Sequence, residues 1–126
     1  MTFDNFNTIT AKKLYTYRRN PHHDFSFMIL KQPDENSAYE PIGDYTVLDR
    51  DEDISLSEKK VMNLVALMND DRDTVDLRDR VQSRLLYYRT PTDTPDKTRI
   101  VFYTLGEKGV STENAVLSLE EGLEDA

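Results

Sequence analysis

Two periods organise the apolar positions of this chain, and the clearer one is helical. In the stretch 55–68, SLSEKKVMNLVALM, Val61, Leu64, Val65 and Met68 fall at i, i+3, i+4 and i+7, one stripe of a helix. Met62 and Leu67 widen that stripe. Ser55 is placed to accept from the free N–H groups of the first turn, and Glu58 three residues on completes a capping box. Such a helix, about 20 Å long at 1.5 Å per residue, needs a sheet or a second helix over its apolar arc.

Elsewhere the period is two. Residues 11–19, AKKLYTYRR, set Lys13, Tyr15, Tyr17 and Arg19 against Leu14, Thr16 and Arg18, a strand with one polar-aromatic face. Asn20 and Pro21 break it, since proline has no ladder donor. Residues 24–31, DFSFMILK, are apolar on both faces and read as a central strand, paired antiparallel with the first across the NPHH turn. Pro33, Asn36, Ser37, Pro41 and Gly43 mark a loop over 32–44, and Tyr45 to Leu48 form a short third strand.

Residues 69–90 carry two patterns. One is a helix capped by Asp73, with Leu77, Val81, Leu85 and Tyr88 on one stripe and Asp76 paired with Arg80. The other, which we prefer, is a helix from Thr74 to about Arg84 that turns into a strand at Leu85. That strand forms a hairpin with 98–105, TRIVFYTL, whose β-branched and aromatic run is a strand. After a turn at Gly106 and Gly109, Ser111 or Thr112 caps a last helix with Val116, Leu119 and Leu123 on one face; an alternating strand, AVLSL, is the other reading. The expected fold is therefore one α+β domain over residues 1–126. It has a small antiparallel sheet of about four to five strands, the central amphipathic helix, and one or two further helices.

Composition narrows the chemistry. The chain has no cysteine, which excludes disulfides, thiolate zinc sites and thiol catalysis. The first ten residues have neither a basic start nor an apolar run, and no window approaches the ~20 apolar residues that cross a bilayer, so no membrane association and a cytoplasmic location are expected. With 37% hydrophobic residues and a net charge of −8, the composition is that of a globular domain. The charge is uneven: residues 1–31 carry +3, 32–79 carry −9, 80–105 carry +3 and 106–126 carry −5.

Asp49, Asp51 and Asp53 alternate like the first ligands of a calcium loop, but Ile54 stands where that loop needs glycine and Lys60 where it needs a bidentate glutamate. His22, His23 and Asp24 are adjacent in a turn, where neighbouring side chains point apart, a poor geometry for one metal unless a distant carboxylate completes the site. Nucleophile-elbow, phosphate-loop and zincin motifs are missing from the sequence. No cofactor, metal or catalytic residue is assigned, and a non-enzyme is the expectation.

Two surfaces remain. Asp49, Asp51, Glu52 and Asp53 precede the central helix while Asp70, Asp71, Asp73, Asp76 and Asp79 follow it, two anionic patches about 20 Å apart that suit docking on a basic protein, such as a nucleic-acid-binding partner. An inhibitor or adaptor is the sharp form of that reading, with the loop 91–97, stiffened by two prolines, as an additional contact. Alternatively Lys13, Tyr15, Tyr17 and Arg19 stack bases and neutralise phosphates of a single strand, joined by Arg84, Tyr87, Arg89, Arg99 and Tyr103. A further alternative is a structural subunit of a larger assembly such as a viral particle, its oppositely charged segments attracting neighbouring copies in a homo-oligomer.

Overall fold

The computed structural model describes residues 14–69 and 86–123. In chain order they form β1 (Tyr15–Arg19), β2 (Ser26–Lys31), β3 (Glu40–Val47), α1 (Ile54–Met68), β4 (Leu86–Arg89), β5 (Thr98–Leu105), a 3-10 turn (Glu107–Gly109) and β6 (Ser111–Leu119). The strands make one six-stranded sheet in the order β1-β2-β3-β6-β5-β4, and every neighbouring pair is antiparallel. Two three-stranded meanders thus meet at the β3–β6 seam, with α1 between them in sequence.

This corrects the expected fold. The sheet has six strands instead of four to five, and α1 is the one α-helix among the described residues. The difference lies in 111–119. Ala115, Leu117 and Leu119 are all buried, and their i, i+2, i+4 spacing keeps them on one side only of a strand. The helical stripe of Val116, Leu119 and Leu123 competed with that alternation in sequence. Strand pairing wins because β3 and β5 supply ladder partners on both edges. The helix expected from Thr74 to Arg84 lies outside the described residues.

One face of the sheet carries the core. Tyr17, Phe27, Tyr45, Phe102 and Tyr87 run across it as a chain of rings, with successive centroids 6.1, 6.4, 5.9 and 6.2 Å apart. β6 passes between Tyr45 and Phe102 and places Ala115 opposite Phe102, a side chain short enough for the two rings to meet. Val61 and Val65 of α1 close over this face, with Leu64 and Met68 packed at its margin. Burying each valine contributes about 2 kcal/mol.

The stripe is narrower than its sequence implied: Met62 and Leu67 are 52% and 36% exposed. The cap also differs. Asp53, not Ser55, is the N-cap, its carboxylate accepting the Ser55 N–H at 2.8 Å, so the helix begins at Ile54. Glu58 is drawn instead to the Tyr17 hydroxyl and the Arg19 guanidinium. β3 starts earlier than expected because Gly43 is a strand residue that permits close approach. A Cβ there would lie 2.0 Å from the Ser118 carbonyl oxygen of β6.

Asn69, at the end of α1, finishes the edge strand. Its carboxamide accepts the Tyr15 N–H at 2.7 Å and donates to the Tyr15 carbonyl at 2.9 Å. It stands where another strand would pair, a device that blunts a sheet edge.

Candidate binding surface

The acidic turn before α1 is divided between structure and surface. Glu52 points inward, accepting from the Ser57 hydroxyl and the Lys60 ammonium, with only 10% of its side chain exposed. Asp49 accepts the Asp51 N–H and Asp53 caps the helix. The side chains of Asp49, Asp51 and Asp53 nevertheless remain on the surface. Asp70, Asp71, Asp73, Asp76 and Asp79 lie outside the described residues.

The polar-aromatic face of β1 turns toward the core. Tyr15 is 8% exposed, and its hydroxyl donates to Glu121, which also receives Lys31 at 2.7 Å. Burial and, secondarily, Glu121 raise its pKa. Tyr17 lies edge-on to Phe27, and burial followed by the Glu58 carboxylate raises its pKa too. Arg19 pairs with the same Glu58. The tyrosines are thus engaged by the core and by carboxylates, which leaves little ring face for a base. Lys13 and Arg84 lie outside the described residues.

On the opposite face, a corner formed by β4, β5 and β6 is open. Leu86 pairs with Tyr103, and Tyr103 with Glu113. Tyr88 and Tyr103 lean together, centroids 5.7 Å apart and planes at 52°. The Tyr88 hydroxyl donates to Glu113 Oε1 at 2.9 Å, and this bond is the main reason its pKa is raised. Tyr88 is 42% exposed and Leu105, two residues beyond Tyr103 on the same side of β5, is 57% exposed.

This corner is continuous with the acidic turn. The sheet register shifts between Phe102 and Tyr103, leaving Asn114 as the extra residue of β6. The Asn114 carbonyl accepts both the Leu48 N–H at 2.7 Å and the Asp49 N–H at 3.4 Å. Leu48, 43% exposed, and Asp49 are thereby held against the backbone of Asn114, the residue after Glu113. Sequence reasoning singled out Asp49 and Tyr103 but missed Tyr88, Glu113, Leu48 and Leu105 as surface partners, since only the register brings them together.

A polar concavity of about 470 Å³ lies at the β1–β2 turn, bounded among others by Asn20, His22, His23, Asp44, Thr46 and Arg50. Desolvation raises the Asp44 pKa while nearby His23 pulls it down, and the Arg50 guanidinium lies 4.8 Å from the Phe25 ring centroid. Among the described residues no group of three or more His, Cys, Asp or Glu side chains is arranged to hold a metal ion. No described helix is long and apolar enough to cross a membrane.

Comparison with protein-family models, curated proteins and solved structures found no match.

Proposed function

We propose that this chain is a non-catalytic protein-binding module that docks on a basic partner through one end of its sheet. The observation that supports this most is the joining of the acidic turn to the aromatic corner at Asn114. It holds the exposed Leu48 and Asp49 against the Asn114 backbone, next in sequence to the exposed Glu113, while the exposed Leu105 lies two residues beyond Tyr103, the cross-strand partner of Glu113. Apolar anchors supply affinity once desolvated, whereas a rim of like charge steers a basic partner and rejects acidic ones. An exposed patch of this kind marks an interaction site more often than scattered single leucines do.

The test is capture from nuclease-treated lysate with the wild-type chain and with Leu48→Asp and Asp51→Lys. A basic protein that the wild type retains and both variants lose supports docking through this end. Equal retention by all three chains would defeat the proposal. Recovery of the chain alone, with a mass that grows with concentration, would replace it by self-assembly.

A further inference from the structure

The geometry points to a shallow surface site for an arginine side chain of the partner, laid against Tyr88, Tyr103 and Glu113. This deepens the protein-binding reading and rests on it for the ligand's source. Two tyrosine rings inclined at 52° with centroids 5.7 Å apart present negative ring faces, to which a guanidinium is attracted. Glu113 closes the third side. Its Oε1 is held by the Tyr88 hydroxyl at 2.9 Å, and its Oε2 is left to accept from an incoming N–H donor.

Three features make this more than a charged surface. First, the strands fix the three residues relative to one another: Glu113 pairs with Tyr103 across β6 and β5, while Tyr88 sits opposite Val101 on β4. The Tyr88–Glu113 hydrogen bond further restrains two of the three side chains, which lowers the entropy lost on binding. Second, among the described residues no lysine or arginine forms an ion pair with Glu113, although acids elsewhere are paired: Glu52 with Lys60, Glu58 with Arg19, Glu120 with Lys97 and Glu121 with Lys31. Third, Leu105, two residues beyond Tyr103 on the same side of β5 and 57% exposed, offers apolar surface to the methylene stem that carries a guanidinium. Arg99 shares this face one row away as a competing cation, and its electrostatic influence reaches Tyr88. Arginine fits better than lysine because a planar fork can stack on a ring and meet a carboxylate in the same plane.

The ring protons of Tyr88 and Tyr103 report occupancy directly by NMR of the full chain. N-acetyl-arginine amide is titrated against N-acetyl-citrulline amide, its uncharged analogue, and N-acetyl-lysine amide. The expected result is a saturable shift of both rings with the arginine compound and binding at least about fivefold weaker with citrulline. Glu113→Gln, an exposed and nearly isosteric change, weakens the arginine response by a similar factor, while Asp51→Lys leaves it in place. Equal shifts with arginine and citrulline, an unchanged response in Glu113→Gln, or no saturable shift would overturn the site. A basic protein that Asp51→Lys releases and Glu113→Gln retains would sink the arginine site alone. Saturable arginine binding without any captured protein would sink the docking reading alone.

Discussion

Removing the Glu52 carboxylate is expected to unfold more of the protein's stability than any other change in the acidic turn. Glu52 accepts from Ser57, which is fully buried, and from Lys60, whose side chain is 19% exposed. Glu52→Ala leaves a largely buried ammonium without its counter-charge and a buried hydroxyl without its acceptor. Breaking a fully buried ion pair costs about 3–5 kcal/mol, and the residual exposure of Lys60 places this one near the lower end, about 3 kcal/mol. For a domain of this size that lowers Tm by roughly 10 °C. Asp51→Lys, on the surface of the same turn, should change stability by less than about 0.5 kcal/mol. Urea unfolding of both variants, with Lys60→Met and the double variant completing a cycle, measures the coupling. A Glu52→Ala cost below about 1 kcal/mol, or additive effects of Glu52→Ala and Lys60→Met, would refute the assignment of Glu52 to the fold instead of the surface.

Three further outcomes follow from the same geometry. Gly43→Ala places a methyl 2.0 Å from the Ser118 carbonyl oxygen at the central seam and should cost about 3 kcal/mol in urea unfolding, whereas Gly106→Ala, with 3.6 Å to its nearest neighbour, should be nearly neutral. Asn69→Ala frees both backbone groups of Tyr15 and should cost about 1–2 kcal/mol, with faster amide exchange at Tyr15. Burial and, secondarily, the nearby Glu52 carboxylate hold the Tyr45 phenol protonated far above its ordinary range. Above the unfolded value of about pH 10 the folded chain therefore binds more protons, and stability falls by up to about 1.4 kcal/mol per pH unit from this group. Tyr45→Phe should flatten the fall of the urea midpoint between about pH 10 and 11, and an unchanged slope would contradict the burial argument.

The elements that were legible in sequence are those whose pattern admits one reading. TRIVFYTL, with Ile100 and Phe102 on the core face, could be little else than a strand, and the Val61 and Val65 stripe fixed the core face of α1. Where two periods fit the same residues, tertiary partners decided. Leu119 serves a helical stripe with Leu123 as well as it serves alternation with Leu117, and only the two flanking strands resolve that conflict. Gly43 resembles a loop residue until another backbone is laid against it. Asp53 is the cap because the helix already begins at Ile54, which places Ser55 inside the first turn as a donor instead of an acceptor. The acidic turn was visible as charge, but its division into an inward Glu52 and outward neighbours was not, because Ser57 and Lys60 become its partners only after α1 forms. The aromatic corner was hidden for a stronger reason: Leu48, Tyr88, Tyr103 and Glu113 are distant in sequence, and a one-residue shift of register would send Glu113 to the other face.

Hydrogen–deuterium exchange of the chain alone and with its captured basic partner tests the docking surface most directly. Slower exchange confined to residues 48–53 of the acidic turn and to 86–88 and 103–113 of the corner is the predicted footprint. Protection centred on β1 and the outer side of α1, with those segments unchanged, would contradict it.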